Sequence, residues 1–469
     1  MLDLAALQLD PEVTARLPDG QEIVRHLTQS RKRTVHDVLR EAVRSGTPAV
    51  QPRCGVGGHA EMLALLRGLE EGAEPDILTV TIDSHTRLKH FATAAMTLRE
   101  DPRRLNGYPL VAHGWERGRE LNDSVRAPLE VRHGSPDARE LFAVAVASGI
   151  TSFEGGGVTY NLPYAKDVPL ARSLRAWQRV DQMCGELAQA GVIVDREFFG
   201  SLTAVLVPPS ISLAITLLEA MAAAASGVRC LSPAYPQGGQ IHQDVAALRS
   251  IAELAARYLP ADVEVFPVLH QFMGVFPADA GTADALILYG ALAGRLGGAA
   301  KIINKTSQEA HGIPDLTANV NGVRTSRMAI SGFLDFVTLD EERVAEEQYW
   351  IQREVSEIVE PVLSGSNLLD DIDTAFRRGQ LDIPFSASIH ALSQVVPKRD
   401  SGGAIRYFDA GRIPLSGASA DFNRSRLDMT GDGAGDVFIA SIKRDINYFA
   451  TSGHRRARHI SEGERQWTV

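Results

Sequence analysis

The chain has 469 residues, 44% of them hydrophobic, so it is long enough to bury a large core. Its formal net charge of −10 argues against nucleic acid and anionic membrane as main partners. Three cysteines (Cys54, Cys184 and Cys230) are scattered without metal-ligand spacing, and no basic segment followed by an apolar run opens the chain. We therefore expect reduced thiols in a cytoplasmic protein, in which clustered arginines concentrate positive charge for an acidic ligand.

Two helices are predicted near the start of the chain, around Gln21–Thr28 and Val35–Ser45. Short apolar, β-branched runs then recur, and the predicted strands are Ala49–Arg53, Ile77–Asp83, Leu129–His133, Ile150–Glu154, Leu202–Pro208, Val228–Ser232, Val263–His270 and Ala299–Lys305. Helical patterns lie between them, at Ala60–Leu69, Ala138–Ala147, Leu174–Ala190, Ser212–Ala225, Asp244–Tyr258 and Ala283–Leu296.

This alternation predicts parallel strands with right-handed crossovers, and near-continuous apolar strands indicate burial on both faces. Eight such units favour an α/β fold of the (β/α)8 TIM-barrel type. An open doubly wound sheet is the alternative, but no Gly-x-Gly-x-x-Gly loop follows the first strand. We expect a helical arm over 1–46, the barrel over 47–335, and a helical and irregular α+β extension over 336–469 that starts with a helix at Leu339–Leu363.

Arginines stand at the ends of the first three predicted strands or in the loops just after them. Arg53 is the last residue of the first predicted strand, Arg132 comes just before the end of the third, and Arg87 follows the second closely. Chemistry in a barrel belongs to this end of the strands, and the guanidinium fork binds carboxylates bidentately. The arrangement suits a ligand with two separated carboxylates; alternatively, each arginine pairs with a nearby acid as a structural contact.

The segment after the fourth predicted strand reads Glu154-Gly-Gly-Gly-Val-Thr-Tyr160-Asn-Leu-Pro-Tyr164-Ala-Lys166. Its glycines allow close backbone approach and positive φ. Glu154 is placed to accept hydrogen bonds from an ammonium group or to act as a base. Tyr160 and Tyr164 would share one face if the segment turns helically. A phosphate cradle is the alternative, although no Gly-Lys-Ser/Thr follows.

Lys305 ends the last predicted strand, and Glu309 follows four residues later. The lysine could form a Schiff base, or the two side chains together could bind a hydroxylated ligand. They could also form a simple i,i+4 pair. No cluster of His, Asp and Glu has convincing metal-ligand spacing, so we expect no metal site.

Several long motifs resemble the large (epsilon) subunit of glutamate mutase, also called methylaspartate mutase. The resemblance runs from about residue 48 to about 425 and is carried by Gln51–Val56, Thr81–Arg87, Leu105–Pro109, Arg132–Asp137, Glu154–Lys166, Asp195–Thr203, Leu206–Ser210, His270–Gly274 and Lys305–Pro314.

The resemblance implies an adenosylcobalamin-dependent radical rearrangement of L-glutamate to (2S,3S)-3-methylaspartate. It also implies a separate small cobalamin-binding (sigma) subunit, in a heterotetramer of two large and two small subunits. By the same resemblance, the substrate contacts are Arg53, Arg87, Arg132, Glu154, Tyr160 and Tyr164, with Glu154 also the catalytic residue; the adenosine contacts are Lys305 and Glu309.

The small subunit of that family binds cobalamin through an Asp-x-His-x-x-Gly loop. Asp83-Ser-His85-Thr-Arg-Leu88 is the nearest match here, but it has leucine in place of glycine. We therefore expect the corrinoid ligand on another chain. Three rival hypotheses remain: the same radical chemistry on a related diacid, an aldolase with Lys305 as its Schiff-base residue, and a non-catalytic barrel that binds an amino acid.

Overall fold

In the computed structural model, the described residues are 2–203, 205–427 and 436–450. A parallel sheet forms the centre, and its hydrogen-bonded strand order is β1-β9-β8-β6-β5-β4-β3-β2, with β7 also beside β6. The strands are β1 Ala49–Gln51, β2 Leu78–Thr81, β3 Leu129–Arg132, β4 Ser152–Glu154, β5 Asp195–Phe198, β6 Cys230–Pro236, β7 Glu264–Val265, β8 Val268–His270 and β9 Lys301–Ile303.

The sheet closes into a barrel, which confirms the predicted fold. β7 and β8 are two parts of one strand, because both pair in parallel with β6 and Pro267 between them lacks the N–H that would continue the ladder. At the seam between β1 and β2, the N–H of Thr81 donates to the carbonyl of Cys54 at 2.9 Å and that of Asp76 donates to Val50 at 3.1 Å. Eight parallel strands, with β7 and β8 counted as one, therefore surround one interior.

The predicted fifth strand, Leu202–Pro208, is wrong. Its described residues lie in a loop, and the fifth strand of the barrel is β5, Asp195–Phe198. The register pairs Ser152 with Asp195 and Glu154 with Glu197, so the acidic side chains of β5 point into the barrel. A strand with charged inward positions lacks the apolar run that signals a buried parallel strand, and for this reason the pattern pointed to the apolar loop instead.

Helices surround the barrel and extend beyond it. The predicted helix at Val35–Ser45 is confirmed, begins with a Thr34–Asp37 capping box, and covers the amino-terminal ends of the strands through a cluster containing Ala49, Ile77 and Ala300. The helices are Pro11–Thr14, Gly20–Gln29, Val35–Ser45, His59–Ala73, Ser84–Arg87, Phe91–Glu100, Leu110–His113, Trp115–Asp123, Arg139–Ala147, Leu170–Gln189, Pro209–Ala225, Ile241–Tyr258, Ala280–Leu296, Leu316–Ile330, Glu341–Leu363, Leu368–Arg378, Gly417–Arg426 and Asp436–Ile446, with short 3-10 turns at Leu4–Leu7, Pro102–Arg104 and Gly332–Leu334.

The C-terminal extension is more regular than the sequence indicated. An antiparallel hairpin pairs Val396–Arg399 with Ile405–Asp409. The helix Glu341–Leu363 packs against Pro209–Ala225, which explains why that Ala-rich helix is apolar on nearly every side. Within the ranges described, no helix is long and apolar enough to cross a bilayer.

The extension also reaches the end of the barrel where the strands finish. The Ser386 hydroxyl donates to the carbonyl of Leu162 at 2.7 Å, and the N–H of Ile389 donates to Lys166 at 2.9 Å. Both acceptors lie in the loop after β4. The extension therefore supports the segment that carries Tyr160 and Tyr164.

Candidate functional site

The side chains predicted to form the site lie at one end of the barrel. Arg132 and Glu154 are the last residues of β3 and β4. Arg53 and Lys305 follow β1 and β9 by two residues, and Arg87 ends the short helix after β2. These are the carboxyl ends of parallel strands, so all five face the same mouth.

A capped turn positions Arg87. The Asp83 carboxylate accepts the N–H groups of His85 at 2.9 Å and Thr86 at 3.0 Å, which caps the helix Ser84–Arg87. Ser84 donates its own N–H to Asn106 Oδ1 at 2.9 Å. Asp83 is fully buried and thus serves the fold of this turn, which accounts for an Asp-x-His sequence without a cobalamin-loop glycine.

Arg132 is held by three carboxylates. Its Nη1 donates to Glu130 Oε1 at 2.8 Å and to Glu197 Oε1 at 2.9 Å, and its Nη2 donates to Glu154. Only 2% of Arg132 is exposed, and its Nε has no hydrogen-bond partner among the described residues. Arg132 is thus tied to three carboxylates, and its Nε–H is left without a partner among the described residues.

Glu154 is buried between charges of both signs. Tyr160 donates its hydroxyl to one carboxylate oxygen and Arg132 binds the other. Burial raises the pKa of Glu154, the nearby charges of Glu197 and Glu130 raise it further, and Arg132 opposes them. A cation such as an ammonium group would therefore stabilise the ionised form of Glu154.

Glu154, Glu197 and His270 form the one group among the described residues whose spacing could suit a metal ion. Arg132 already lies between the two carboxylates, and its Nη2 is 3.3 Å from His270 Nε2. Burial lowers the pKa of His270 to about 3, so the ring is neutral at pH 7. The Arg132 guanidinium thus occupies the position between Glu154 and Glu197 in which a metal ion would bind.

Arg53 and Arg87 differ from Arg132 because no acid in the described part of the chain pairs with either. Arg53 Nε is buried, and no described residue forms a hydrogen bond with it. Crowding by protein atoms raises the pKa of the Tyr164 hydroxyl, although 41% of Tyr164 is exposed, and the charges acting on it are those of Arg53, Glu154, Arg87 and Arg132. All three arginines therefore lie close enough to Tyr164 for their charges to act on its hydroxyl group.

The glycines after β4 make room for protein groups. Gly155 has φ +118°, and a Cβ there would lie 2.3 Å from the Tyr160 ring. The chain then turns helically, and the rings of Tyr160 and Tyr164 meet edge to face with centroids 5.7 Å apart. This part of the segment therefore places the two tyrosine rings side by side, as expected for this spacing in a helical turn.

Glu219 occupies the place that a phosphate would take in a cradle. A Cβ on Gly156 would lie 2.3 Å from Glu219 Oε1, and that oxygen accepts the N–H groups of Val158 at 2.7 Å and Thr159 at 3.2 Å. Burial raises the pKa of Glu219 to about 7. Since an internal carboxyl group already uses the donors of this turn, the phosphate-cradle alternative loses its support.

Lys305 and Glu309 form a pair at the end of β9. Lys305 Nζ lies 2.6 Å from Glu309 Oε2, and the Lys305 N–H donates to Gln271 Oε1 at 2.8 Å. Burial lowers the pKa of Lys305 to about 8, Glu309 raises it, and Arg53 lowers it. Since the charge of Arg53 acts on Lys305, the Lys305–Glu309 pair lies near the arginines at the mouth.

Three interior charges were not predicted as part of the site: Glu130, Glu197 and Lys301. Each is fully buried, and each lies within ion-pair distance of Arg132 or of its carboxylate partners. The signal in the sequence is charge at every second position, as in Glu130-Val-Arg132 and Asp195-Arg-Glu197, which places both charges of a strand on its inner face.

Comparison with known proteins gives a consistent result. Residues 30–438 match the family described as methylaspartate mutase E chain (MutE). The chain is 39% identical over 434 residues to the glutamate mutase epsilon subunit of Desulfitobacterium hafniense (strain Y51), covering 90% of each chain. It is 42% identical over 404 residues to the glutamate mutase epsilon subunit of Halobacterium salinarum, covering 85% of each.

Among solved structures, a putative fructose-1,6-biphosphate aldolase from Coccidioides immitis aligns with a TM-score of 0.32 and 14% identity, covering 66% of this chain and 96% of that chain. The barrel is assigned from its own strand order and parallel pairing.

Proposed function

Because this chain belongs to the methylaspartate mutase E chain family and is a mutase subunit of that type, we propose that it converts L-glutamate to (2S,3S)-3-methylaspartate by adenosylcobalamin-dependent radical chemistry. The observation that carries the proposal is a pair of arginines, Arg53 and Arg87, for which the described residues supply no acid partner, beside the Nε–H of Arg132, which has no partner among the same residues. Positive charge at one mouth, left unpaired by the described residues, suits a dicarboxylate ligand.

In this proposal the arginines hold the two substrate carboxylates, and Tyr164 lies among them. Glu154 accepts the substrate ammonium, and the hydroxyl of Tyr160 fixes the carboxylate from its other oxygen. Glu154 also serves as the catalytic residue, because it is the group at the substrate that can hold or release a proton. Fixed charges at both ends of the substrate keep the reacting carbon atoms in place throughout the rearrangement.

Lys305 and Glu309 suit the hydroxyl groups of an adenosine. The ammonium group uses one donor on Glu309 and has others left, and the carboxylate retains lone pairs for a ribose diol. When bound, adenosylcobalamin supplies reversible cleavage of a cobalt–carbon bond and thereby the radical. This chain contributes the adenosine contacts and a barrel interior that excludes water.

We further propose that a small cobalamin-binding (sigma) subunit covers the mouth and brings the corrinoid, in a heterotetramer of two large and two small subunits in the cytoplasm. Large apolar side chains are exposed on the loops that surround the mouth, which supports a protein partner there. They are Leu88, Val275, Ile313, Phe385 and Ile389.

Each rival hypothesis makes its own prediction, and the aldolase hypothesis makes one about Lys305. Its lowered pKa would suit a Schiff-base aldolase, and borohydride trapping with a carbonyl substrate would then label it. The family membership favours the mutase. A related diacid as substrate would need only different side chains around the mouth, and a non-catalytic barrel would bind glutamate without converting it.

The test is reconstitution. The purified chain, a small cobalamin-binding subunit, adenosylcobalamin and L-glutamate are combined, and 3-methylaspartate is measured by chromatography. We expect product only when all four components are present. Glutamate bound but unconverted in the complete mixture would favour the non-catalytic barrel, and turnover of another diacid alone would identify a different substrate.

A further inference from the structure

Lys301 is the first residue of β9, in the barrel interior below the mouth, and its ion pairs are with Glu130, Asp195 and Glu197, none of which is a predicted substrate or cofactor contact. It is fully buried, and its Nζ lies 2.5 Å from Glu130 Oε2 and 2.6 Å from Glu197 Oε2. Asp195 Oδ2 is farther, at 3.8 Å. A buried ammonium group needs compensation of this kind, but its position indicates a role beyond its own neutralisation.

The two carboxylates that bind Lys301 also bind Arg132, each with its second oxygen. Glu130 Oε1 and Glu197 Oε1 lie 2.8 Å and 2.9 Å from Arg132 Nη1. Two cations and two anions therefore alternate in a closed ring contributed by β3, β5 and β9. Neither carboxylate can turn without losing a contact to one of the cations.

Removal of Lys301 would leave Glu130 and Glu197 as neighbouring buried carboxylates beside Asp195. Like charges this close disfavour joint ionisation, so one of them would take up a proton and weaken its contact with Arg132. Arg132 Nη2 holds Glu154, so the disturbance would reach the proposed ammonium contact.

We propose that Lys301 is a positioning residue: it fixes Glu130 and Glu197, which fix Arg132, so that Arg132 Nε and the Glu154 carboxylate face the substrate. This inference rests on the proposed function for its substrate. It adds a residue below the pocket whose effect on the substrate is transmitted through the ring. A ring fixed before the substrate arrives lowers the cost of ordering the pocket.

The experiment compares Lys301→Met, Glu130→Gln and the double variant in the reconstituted enzyme. Since both side chains act through the same ring, we expect each single variant to raise KM for glutamate at least tenfold with kcat changed less than threefold, and the double variant to show much less than the product of the two effects. Val359→Ala, a buried change in the C-terminal extension, controls for lost stability alone.

Lys301→Met with KM within twofold of wild type, or a double variant whose effects multiply, would overturn the proposal. If Lys301→Met does not fold, Lys301→Gln takes its place in the cycle with Glu130→Gln, under the same criteria.

A second readout needs no substrate. The infrared carbonyl band of protonated Glu154, assigned with Glu154→Gln, is followed against pH in the large chain. Loss of the Lys301 charge should move its midpoint down by at least about half a pH unit, since a Glu130 or Glu197 side chain that has taken up a proton no longer raises the pKa of Glu154; an unmoved midpoint would overturn the proposal. If the wild-type enzyme does not convert glutamate but the midpoint still moves in Lys301→Met, the proposed function is refuted and the positioning role of Lys301 is retained.

Discussion

Arg53→Lys is the substitution that tests the carboxylate contacts with least disturbance of the fold. Arg53 has no acid partner among the described residues and its Nε is buried without a hydrogen bond, so the folded chain loses no ion pair when the guanidinium is replaced. Lysine keeps the charge but offers a point donor in place of the planar fork. A bidentate carboxylate contact becomes monodentate.

One charge-assisted hydrogen bond contributes about 1.5–3 kcal/mol. At about 1.4 kcal/mol per factor of ten, its loss lowers kcat/KM roughly 10- to 100-fold. Initial rates of 3-methylaspartate formation in the reconstituted enzyme measure the effect, and urea unfolding should show a free energy of unfolding within about 0.5 kcal/mol of wild type.

Arg175→Lys is the matched control, because Arg175 is an exposed arginine whose ion pair to Asp370 spans 3.5 Å and whose loss should leave kcat/KM unchanged. A kcat/KM for Arg53→Lys within twofold of wild type would refute the reasoning. So would an equal loss of activity in the control.

Three further predictions follow from the same geometry. Arg132→Lys, unlike Arg53→Lys, should lower the free energy of unfolding by on the order of 3 kcal/mol in urea titrations, since three buried carboxylates lose their common partner; unchanged stability would contradict the ring. Burial raises the pKa of Glu154 from 4.5 to about 8, so the folded chain retains a proton that the unfolded chain releases, and stability should fall as pH rises through this interval. Glu154→Gln should flatten that part of the stability profile, and an identical profile would argue against the shift. Gly156→Ala should cost about 1–3 kcal/mol, because its Cβ would meet the Glu219 carboxyl group. Gly417→Ala, whose added Cβ has no atom of the described residues within 4 Å, should be close to neutral in thermal unfolding.

The sequence was sufficient to predict the barrel because its outer layers follow the usual periodicities. The predicted helices Ser212–Ala225 and Asp244–Tyr258 end where the observed ones do. β5 was not predicted because its sequence does not follow the apolar pattern of a buried parallel strand. Its inward positions carry Asp195 and Glu197, and only the surrounding strands show that these charges have partners.

Residues at the mouth could be predicted where a charged side chain lies at the end of a predicted strand, as at Arg53 and Glu154. The sequence does not indicate which of the arginines is already paired with buried carboxylates. Arg132 meets Glu197 across 65 positions in the chain, and the sequence gives no sign of this contact. The structure therefore separates Arg132, tied into an ion-pair ring, from Arg53 and Arg87, which lack acid partners in the described residues.

Titration calorimetry of the reconstituted enzyme tests the central claim most directly. L-Glutamate is compared with 4-aminobutyrate and 2-aminobutyrate, which each lack one carboxylate, and with glutarate, which lacks the ammonium group. If the strand-end arginines hold both carboxylates and Glu154 holds the ammonium, each analogue should bind at least tenfold more weakly than glutamate, since each lost charged contact costs more than about 1.4 kcal/mol. An analogue with one carboxylate that binds as tightly as glutamate would contradict the account.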